Sequence, residues 1–371
     1  MGTETIIPAL DPMPLPAPFW LFKLLLVLTF FLHIVVMNFM FGGGLIAAFS
    51  GLFRKKNESD QRLFNDIVPK IPSLLAATIT LGIAPLLFVQ VLYGQFFYTA
   101  TIIMAWPWFL VLVLLMFAYY GFYIVALKQD KTSRGIGWVM LISIFFIFLV
   151  GFFYSSNFTL MESPATWSAK YFQDRSGWNL NGSESTLIPR FLHFLVASVA
   201  VGSFLIILTG LFRWKQEADY ARFLIVRGGQ WFMYATMTQF VVGIWFLISL
   251  PREAMLQFMG GNMLATISLL IGVVGGLAAI FIMSNGIRND DPRTPAWWAM
   301  GITGVVVIFM AMMRDVLRTA YLSPYFKASE LPVKTQLDVL ILFLVLFVIG
   351  ILVWALMIKR YFFTPSAKIT E

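Results

Sequence analysis

The 371-residue chain is 60% hydrophobic and only 12% charged, whereas a soluble domain carries roughly 25% charged residues. This composition excludes a soluble protein and indicates an integral membrane protein. The formal charge of +8 would suit nucleic acid, but the basic residues flank apolar segments as the positive-inside rule requires, so no nucleic-acid partner is expected. The chain has no cysteine, which excludes disulfides, thiolate nucleophiles and iron-sulfur ligation.

The proline-rich segment 1–18 lacks the basic region and cleavage site of a signal peptide, so we expect an extramembrane lead-in there. Nine apolar segments follow, each near the ~20 residues with which a helix crosses a membrane, and no period-2 pattern suggests a barrel. They lie near 19–53, 73–97, 102–127, 136–158, 187–212, 222–250, 263–284, 296–313 and 336–358. The sequence therefore predicts an all-α integral membrane protein with nine transmembrane helices.

The distribution of Lys and Arg between the loops predicts the orientation of the chain. Most segments after the odd-numbered spans are richer in basic residues than those after the even-numbered spans, as at 54–56 after span 1 and 128–134 after span 3, and the segment after span 8 is the exception. By the positive-inside rule, this pattern places the N-terminus outside the cytoplasm and the C-terminus inside. We therefore expect a multi-pass protein of the inner (cytoplasmic) membrane, surrounded by lipid.

The tripeptide Phe-Leu-His occurs twice, at 31–33 and 191–193, and contains the only two histidines of the chain. Each copy opens an apolar run that ends in Gly-Leu-Phe-Arg, and Ala-Thr-x-Thr follows at 77–80 and at 235–238. The offsets agree within two residues, which predicts two similar four-helix units, spans 1–4 and 5–8, with a peripheral ninth helix. Chance similarity among apolar helices is the alternative.

This repeat gives a domain plan of five parts. They are the lead-in at 1–18, a first four-helix unit at 19–158, an outer loop at 159–186, a second four-helix unit with its outer loop at 187–335, and the ninth helix with a cytoplasmic tail at 336–371. Both histidines then lie in the outer halves of their spans, on the same side of the membrane.

Ionisable residues inside a membrane are costly, so each of them is a candidate functional residue. An imidazole is a common axial ligand of haem iron, and equivalent positions in a repeat favour this role for His33 and His193. The alternative is an imidazole that only hydrogen-bonds a neighbouring helix. Met263 begins span 7 at about the level of His193, and its thioether is either a second ligand or a plain packing group.

Charged residues also stand at the outer end of span 8, where Asp315 and Arg318 are one helical turn apart and follow Arg314. They suit a carboxylate near a metal with arginines that pair haem propionates, or else a solvated helix end. Arg190 lies on the same side, three residues before His193. All Asp and Glu residues fall in loops or at span ends, which argues against a proton pump, and no clustered ligands suggest a zinc or carboxylate-bridged metal site.

The layout resembles subunit I of the cytochrome bd quinol oxidases, which have nine spans, an outside N-terminus and single histidines early in spans 1 and 5. The segment 190–198, Arg-Phe-Leu-His-Phe-Leu-Val-Ala-Ser, looks like the span 5 signature of that family. The resemblance implies that His193 and Met263 ligate a low-spin b haem and that His33 ligates the haem that is haem d in true oxidases. It also aligns Asp315 and Arg318 with the family's glutamate and arginine at the end of span 8.

The chain departs from the family where function is concerned. The long loop between spans 6 and 7 that takes part in quinol oxidation is reduced to about 251–261. Span 3 has no acidic residue at 108–123, where the family carries glutamates near the oxygen-reducing haem. Asp315 replaces a longer glutamate, and Thr-Ala-Tyr at 319–321 replaces Gln-Pro-Trp.

The sequence therefore predicts a respiratory membrane cytochrome with one to three b haems, an oxidoreductase component that works in a complex. It would pass electrons near the outer face between a quinol or partner membrane subunit and an external redox protein such as a c-type cytochrome. A diverged bd-type terminal oxidase that reduces O2 is the alternative within this class. A haem-free membrane scaffold or transporter is the alternative of another class, and the lack of broken helices with buried charges argues against the transporter.

Overall fold

The structure is a computed structural model that describes residues 7–8, 14–53, 58–128 and 134–363. In these ranges the chain forms twelve α-helices and an isolated backbone bridge between Leu15 and Val333. The helices are α1 (Phe19–Phe53), α2 (Glu58–Ile67), α3 (Ile71–Ile103), α4 (Ala105–Leu127), α5 (Arg134–Met161), α6 (Trp167–Gln173), α7 (Leu187–Arg213), α8 (Ala218–Ser249), α9 (Arg252–Leu256), α10 (Met263–Gly286), α11 (Arg293–Leu322) and α12 (Leu337–Phe363).

Nine of the described helices are long and apolar enough to cross a membrane, namely α1, α3, α4, α5, α7, α8, α10, α11 and α12. The prediction of an all-α membrane protein with nine spans is thereby confirmed, and each predicted segment overlaps one of these helices. Helix α11 continues past its predicted end at 313 to Leu322. Its last turns are polar in sequence, yet Arg318 is buried there, at 4% exposure. The orientation in the membrane stays a prediction.

The chain divides into two compact units, of which the larger contains Leu25–Lys327 and thus most of α1 and all helices from α2 to α11. The smaller contains the described residues within 12–24 and 328–371. In this smaller unit the backbone N–H of Leu15 donates to the carbonyl of Pro332 at 2.7 Å, and Lys334 N–H donates to the Leu15 carbonyl at 2.9 Å. The predicted boundary between two four-helix units stays a prediction.

Small residues allow the helices of the larger unit to pack closely. A Cβ on Gly228 of α8 would lie 3.0 Å from the Ser203 carbonyl oxygen of α7, and one on Gly210 of α7 would lie 2.7 Å from the Ala221 carbonyl oxygen of α8. Because lipid is as apolar as the helix surfaces, such close contacts are the main source of association between membrane helices. Around them the core cluster of α7, α8, α10 and α11 is filled by Val201, Phe204, Ile207, Phe232, Ala279, Met283 and Ala296.

The connection between the sixth and seventh spans is short, as the sequence predicted. It consists of α9 and a π-helical turn at Gln257–Gly261, in which Gly260 has a φ of 108° that favours glycine. Asn262 then caps α10, since its side-chain oxygen accepts a hydrogen bond from Ala265 N–H at 3.1 Å. The turn and the cap explain why α10 begins at Met263.

At the end of the bundle where α7 finishes, ion pairs attach α2 to α7 and α8. Asp66 accepts two hydrogen bonds from Arg213, at 2.7 and 2.6 Å, and one from the Tyr220 hydroxyl at 2.8 Å. Arg62 pairs with Glu217 beside them, and both of these side chains are about half exposed. This charged end lies opposite to the end where α7 begins, which we call the histidine end.

Candidate functional site

His33 is held on α1 by a contact with α3. Its Nδ1 lies 3.0 Å from the carbonyl oxygen of Thr78, and because a carbonyl can only accept, Nδ1 carries the proton of this hydrogen bond. Gly82, one turn further along α3, faces the ring so closely that a Cβ there would lie 2.9 Å from it. The neutral ring therefore keeps Nε2 as its free lone pair, the atom that ligates metals.

His193 takes a similar place on α7, against α8. A Cβ on Gly243 would lie 3.3 Å from the imidazole ring, and the ring of Phe246 lies 5.8 Å away between centroids. The difference lies in the hydrogen bonding, because Nδ1 of His193 is buried and no described residue pairs with it.

A reciprocal crossing joins α1 and α7. A Cβ on Gly202 would lie 2.5 Å from the Asn38 carbonyl oxygen, and a Cβ on Gly42 would overlap the Ser198 carbonyl in the same way. Each glycine follows its histidine by nine residues, a distance of about 13 Å along a helix. As the first and fifth spans run in the same direction, both imidazoles lie on one side of the crossing at the same level.

Arg190 forms a buried ion pair at the histidine end. Its guanidinium donates to the Glu162 carboxylate at 2.6 Å, and the two side chains are 8% and 6% exposed. The guanidinium also stacks on Phe246 at 5.5 Å and on Tyr321 at 5.8 Å. Glu162 directly follows α5, so this pair connects the end of the fourth span to the start of the fifth.

Arg314 reaches from α11 to three other helices. Its guanidinium lies 4.3 Å from the ring centroid of Phe30, 4.6 Å from that of Phe158 and 5.5 Å from that of Phe194. Phe30 precedes His33 by three residues, and Phe194 directly follows His193. Arg314 therefore lies between the two histidine-bearing helices, at the level of the histidines.

Arg318 and Asp315 are paired along α11, with Nη1 of Arg318 at 3.3 Å from the Asp315 carboxylate. Arg318 also covers the ring of Tyr93 at 5.6 Å, at the point where the α3 backbone leaves helical geometry. Arg314 directly precedes Asp315 on α11, and Tyr321 of the same helix lies against the Arg190 guanidinium. The structure thus brings the predicted arginines and Asp315 together into one cluster, which we call the arginine cluster, and Glu162 joins it.

Met263 is the first residue of α10, and its side chain is 78% exposed. Its role as a second ligand stays a prediction.

Several buried polar atoms at the histidine end have no hydrogen-bond partner among the described residues. Besides Nδ1 of His193, they include both amide atoms of Asn157 and of Gln239, and Nε of Arg190 and of Arg318. An unpaired buried polar group costs about 1–3 kcal/mol, so such a concentration marks a place where another group can bind. Three polar residues at this end were not predicted as site residues, although each lies within or directly after an apolar span. They are Asn157, Glu162 and Gln239.

No protein-family model matches the sequence, and no curated protein matches it. A solved structure, the bd oxidase from Geobacillus thermodenitrificans, is similar to this chain, with a TM-score of 0.71. The alignment covers 94% of this chain and 99% of the other, and the sequence identity is 13%. At this identity the likeness concerns the fold. The predicted resemblance is confirmed to that extent: the chain has a cytochrome bd-like membrane fold.

Proposed function

We propose that this chain is a haem b-binding, membrane electron-transfer subunit, with His33 and His193 as axial ligands. The observation that carries the proposal is the matched placement of the only two imidazoles, which lie at one level beside a reciprocal helix crossing and each face a glycine. The bd-like fold supports the proposal.

The arginine cluster fits the anionic part of a haem. Haem carries two propionate carboxylates, and charge-assisted hydrogen bonds from arginine are the strongest partners for them. Arg314 has aromatic rings and no carboxylate within ion-pairing distance among its described contacts, and Nε of Arg190 and of Arg318 is unpaired. Met263 as a second ligand of iron and Asp315 near iron belong to the same proposal.

When bound, haem supplies reversible one-electron chemistry. The side chains of the protein orient the ligand and exclude water. The hydrogen bond from His33 Nδ1–H to the Thr78 carbonyl fixes the tautomer and the plane of the ring, and so leaves Nε2 as the atom with a lone pair for iron. The rings of Phe30, Phe158 and Phe194 surround the Arg314 charge and exclude water, which strengthens its attraction for a carboxylate.

We further propose that the electrons pass near the outer face of an inner membrane, between a quinol or a partner membrane subunit and an external acceptor such as a c-type cytochrome. The short connection between α8 and α10 argues for a partner subunit rather than for quinol binding on a long loop.

The test is a reduced-minus-oxidised spectrum of the purified protein, with pyridine haemochrome to count the haems and to identify them as b-type. We expect one to three b haems. His193→Ala should abolish the low-spin signal, and His33→Ala, the matched control, should leave that signal in place. A wild-type protein that shows no Soret band, although it was produced with ample haem, would contradict the proposal and favour a haem-free scaffold or transporter.

A terminal oxidase is the second candidate, favoured by the likeness to a bd oxidase and by the free Nε2 of His33, for which no second ligand was predicted. Oxygen consumption with a quinol donor, lost in His33→Ala, would establish it. The absence of consumption in a haem-loaded protein would leave the electron-transfer subunit.

A further inference from the structure

The two histidine sites can be compared because each has a glycine that faces the ring. In the first half Gly82 faces His33, and the residue four positions earlier, Thr78, supplies the carbonyl that accepts from Nδ1. The hydroxyl of Thr78 is used elsewhere, since it donates to the Leu74 carbonyl at 2.7 Å. The acceptor for His33 is therefore backbone, and it lies one helical turn before the glycine.

In the second half Gly243 faces His193, and the residue four positions earlier is Gln239. The repeated Ala-Thr-x-Thr sequence would pair Thr78 with Thr236, but the glycine contacts pair it with Gln239, about one turn further along α8. Residues four apart lie on the same face of a helix, about 6 Å apart along its axis. Gln239 is thus on the side of α8 that faces His193, at the position of the acceptor in the first half.

The same two residues have unsatisfied polar atoms. Nδ1 of His193 is buried without a partner, and so are Oε1 and Nε2 of Gln239. An imidazole N–H and an amide oxygen are complementary, and a buried donor and a buried acceptor on facing helices are each stabilised by pairing.

We propose that the side-chain oxygen of Gln239 accepts the hydrogen bond of His193 Nδ1–H, and that Gln239 is thereby the positioning residue of this imidazole. The inference rests on the proposed haem function. The bond would keep the proton on Nδ1 and leave Nε2 for iron, and it would make the imidazole a stronger electron donor, which favours ferric over ferrous iron. The two imidazoles would then be oriented by different acceptors, a backbone carbonyl for His33 and a side-chain oxygen for His193.

The experiment compares the low-spin haem of wild type, Gln239→Leu and Gln239→Glu in the full-length protein, through its midpoint potential and through its retention during purification. Gln239→Leu should weaken retention roughly 10-fold, the lower end of what loss of such a partner costs. If only ferric haem is bound 10-fold more weakly, the midpoint potential of the haem rises by about 60 mV. Gln239→Glu, of nearly equal volume, offers a stronger acceptor and should lower the potential.

Thr236→Val is the matched control, because it removes a hydroxyl of α8 that donates to the Phe232 carbonyl at 2.7 Å, one turn before Gln239, and it should leave the haem spectrum unchanged. Opposite shifts for Leu and Glu would support the inference, since a purely structural role would shift both variants alike. If Gln239→Leu does not fold, a potential in Gln239→Glu equal to that of wild type overturns the inference. Equal potentials in all three proteins overturn it too, with the haem function intact, whereas wild type without haem overturns the function itself.

Discussion

The arginine cluster contains an ion pair that is much more deeply buried than an ion pair at the opposite end of the molecule. Arg190 and Glu162 are 8% and 6% exposed, whereas Arg62 and Glu217, at the opposite end, are 45% and 43% exposed. Burial removes the hydration of both charges, so each charge depends on the other far more than it would at the surface. The sequence could predict Arg190 from its place near His193. Glu162 was interpreted as a carboxylate at a span end, because its pairing with Arg190, 28 residues further along the chain, leaves no local pattern.

Glu162→Gln should therefore destabilise the protein strongly. The variant leaves a buried guanidinium opposite a neutral amide, and the loss of one partner of a buried pair costs about 3–5 kcal/mol. Glu217→Gln is the matched control, since an exposed pair contributes about 0–1 kcal/mol. Thermal unfolding of the detergent-purified proteins, followed by tryptophan fluorescence, compares them. Equal losses in the two variants would show that the burial of the pair carries no weight.

At the scale of the helices, apolar length was enough to locate all nine spans, since each must cover the membrane. Irregular backbone was not predicted. Helix α3 leaves helical geometry at Tyr93, eight residues after the proline at 85, and the pattern of apolar residues runs through this point unchanged. Likewise the pairing of α1 with α7 depends on single glycines. Gly42 stands in a run of three glycines, and the sequence alone does not indicate which of the three meets α7.

Gly202→Ala tests the crossing. The added Cβ would lie 2.5 Å from both the Asn38 carbonyl oxygen and the Cα of Gly42, so α1 and α7 must separate, and such overpacking costs about 1–3 kcal/mol. Gly301→Ala, within α11, is the control, because nothing lies within 4 Å of its Cβ position, and the alanine should be neutral or should stabilise the helix by up to about 1 kcal/mol. The melting temperatures of the two variants are measured under the same conditions and compared. A Gly202→Ala protein as stable as Gly301→Ala would mean that the helices do not meet there.

At the scale of the whole molecule, the charge pattern predicts that the histidine end faces outward, while the fold itself fixes only which residues share an end. The distinction matters for function, since an acceptor such as a c-type cytochrome would reach only an outward-facing site. The repeat in the sequence predicts two related halves, whereas the contacts show which residues of α1 and α7 meet and how the hydrogen bonding of the two histidines differs.

The absence of cysteine makes this orientation directly measurable. Gly182→Cys places one exposed thiol in the loop before α7, where nothing lies within 4 Å of the Cβ position, and Gln216→Cys places one in the exposed turn between α7 and α8. We expect a membrane-impermeant maleimide to label Gly182→Cys in spheroplasts and Gln216→Cys only after the membrane is opened. The reverse result would invert the predicted topology and place the arginine cluster on the cytoplasmic side.

The crossing of α1 and α7 has one more consequence. Gly42 meets Ser198 and Gly202 meets Asn38, and each of these four residues has the same offset from its own histidine as its counterpart in the other half. This is the contact pattern of an isologous dimer, in which residue i of one subunit touches j of the other and j touches i. The single chain thus contains, within itself, the interface of a symmetric pair. A change at one glycine alters the surroundings of both halves at once, whereas Thr78 and Gln239, which lie away from this interface, can differ independently.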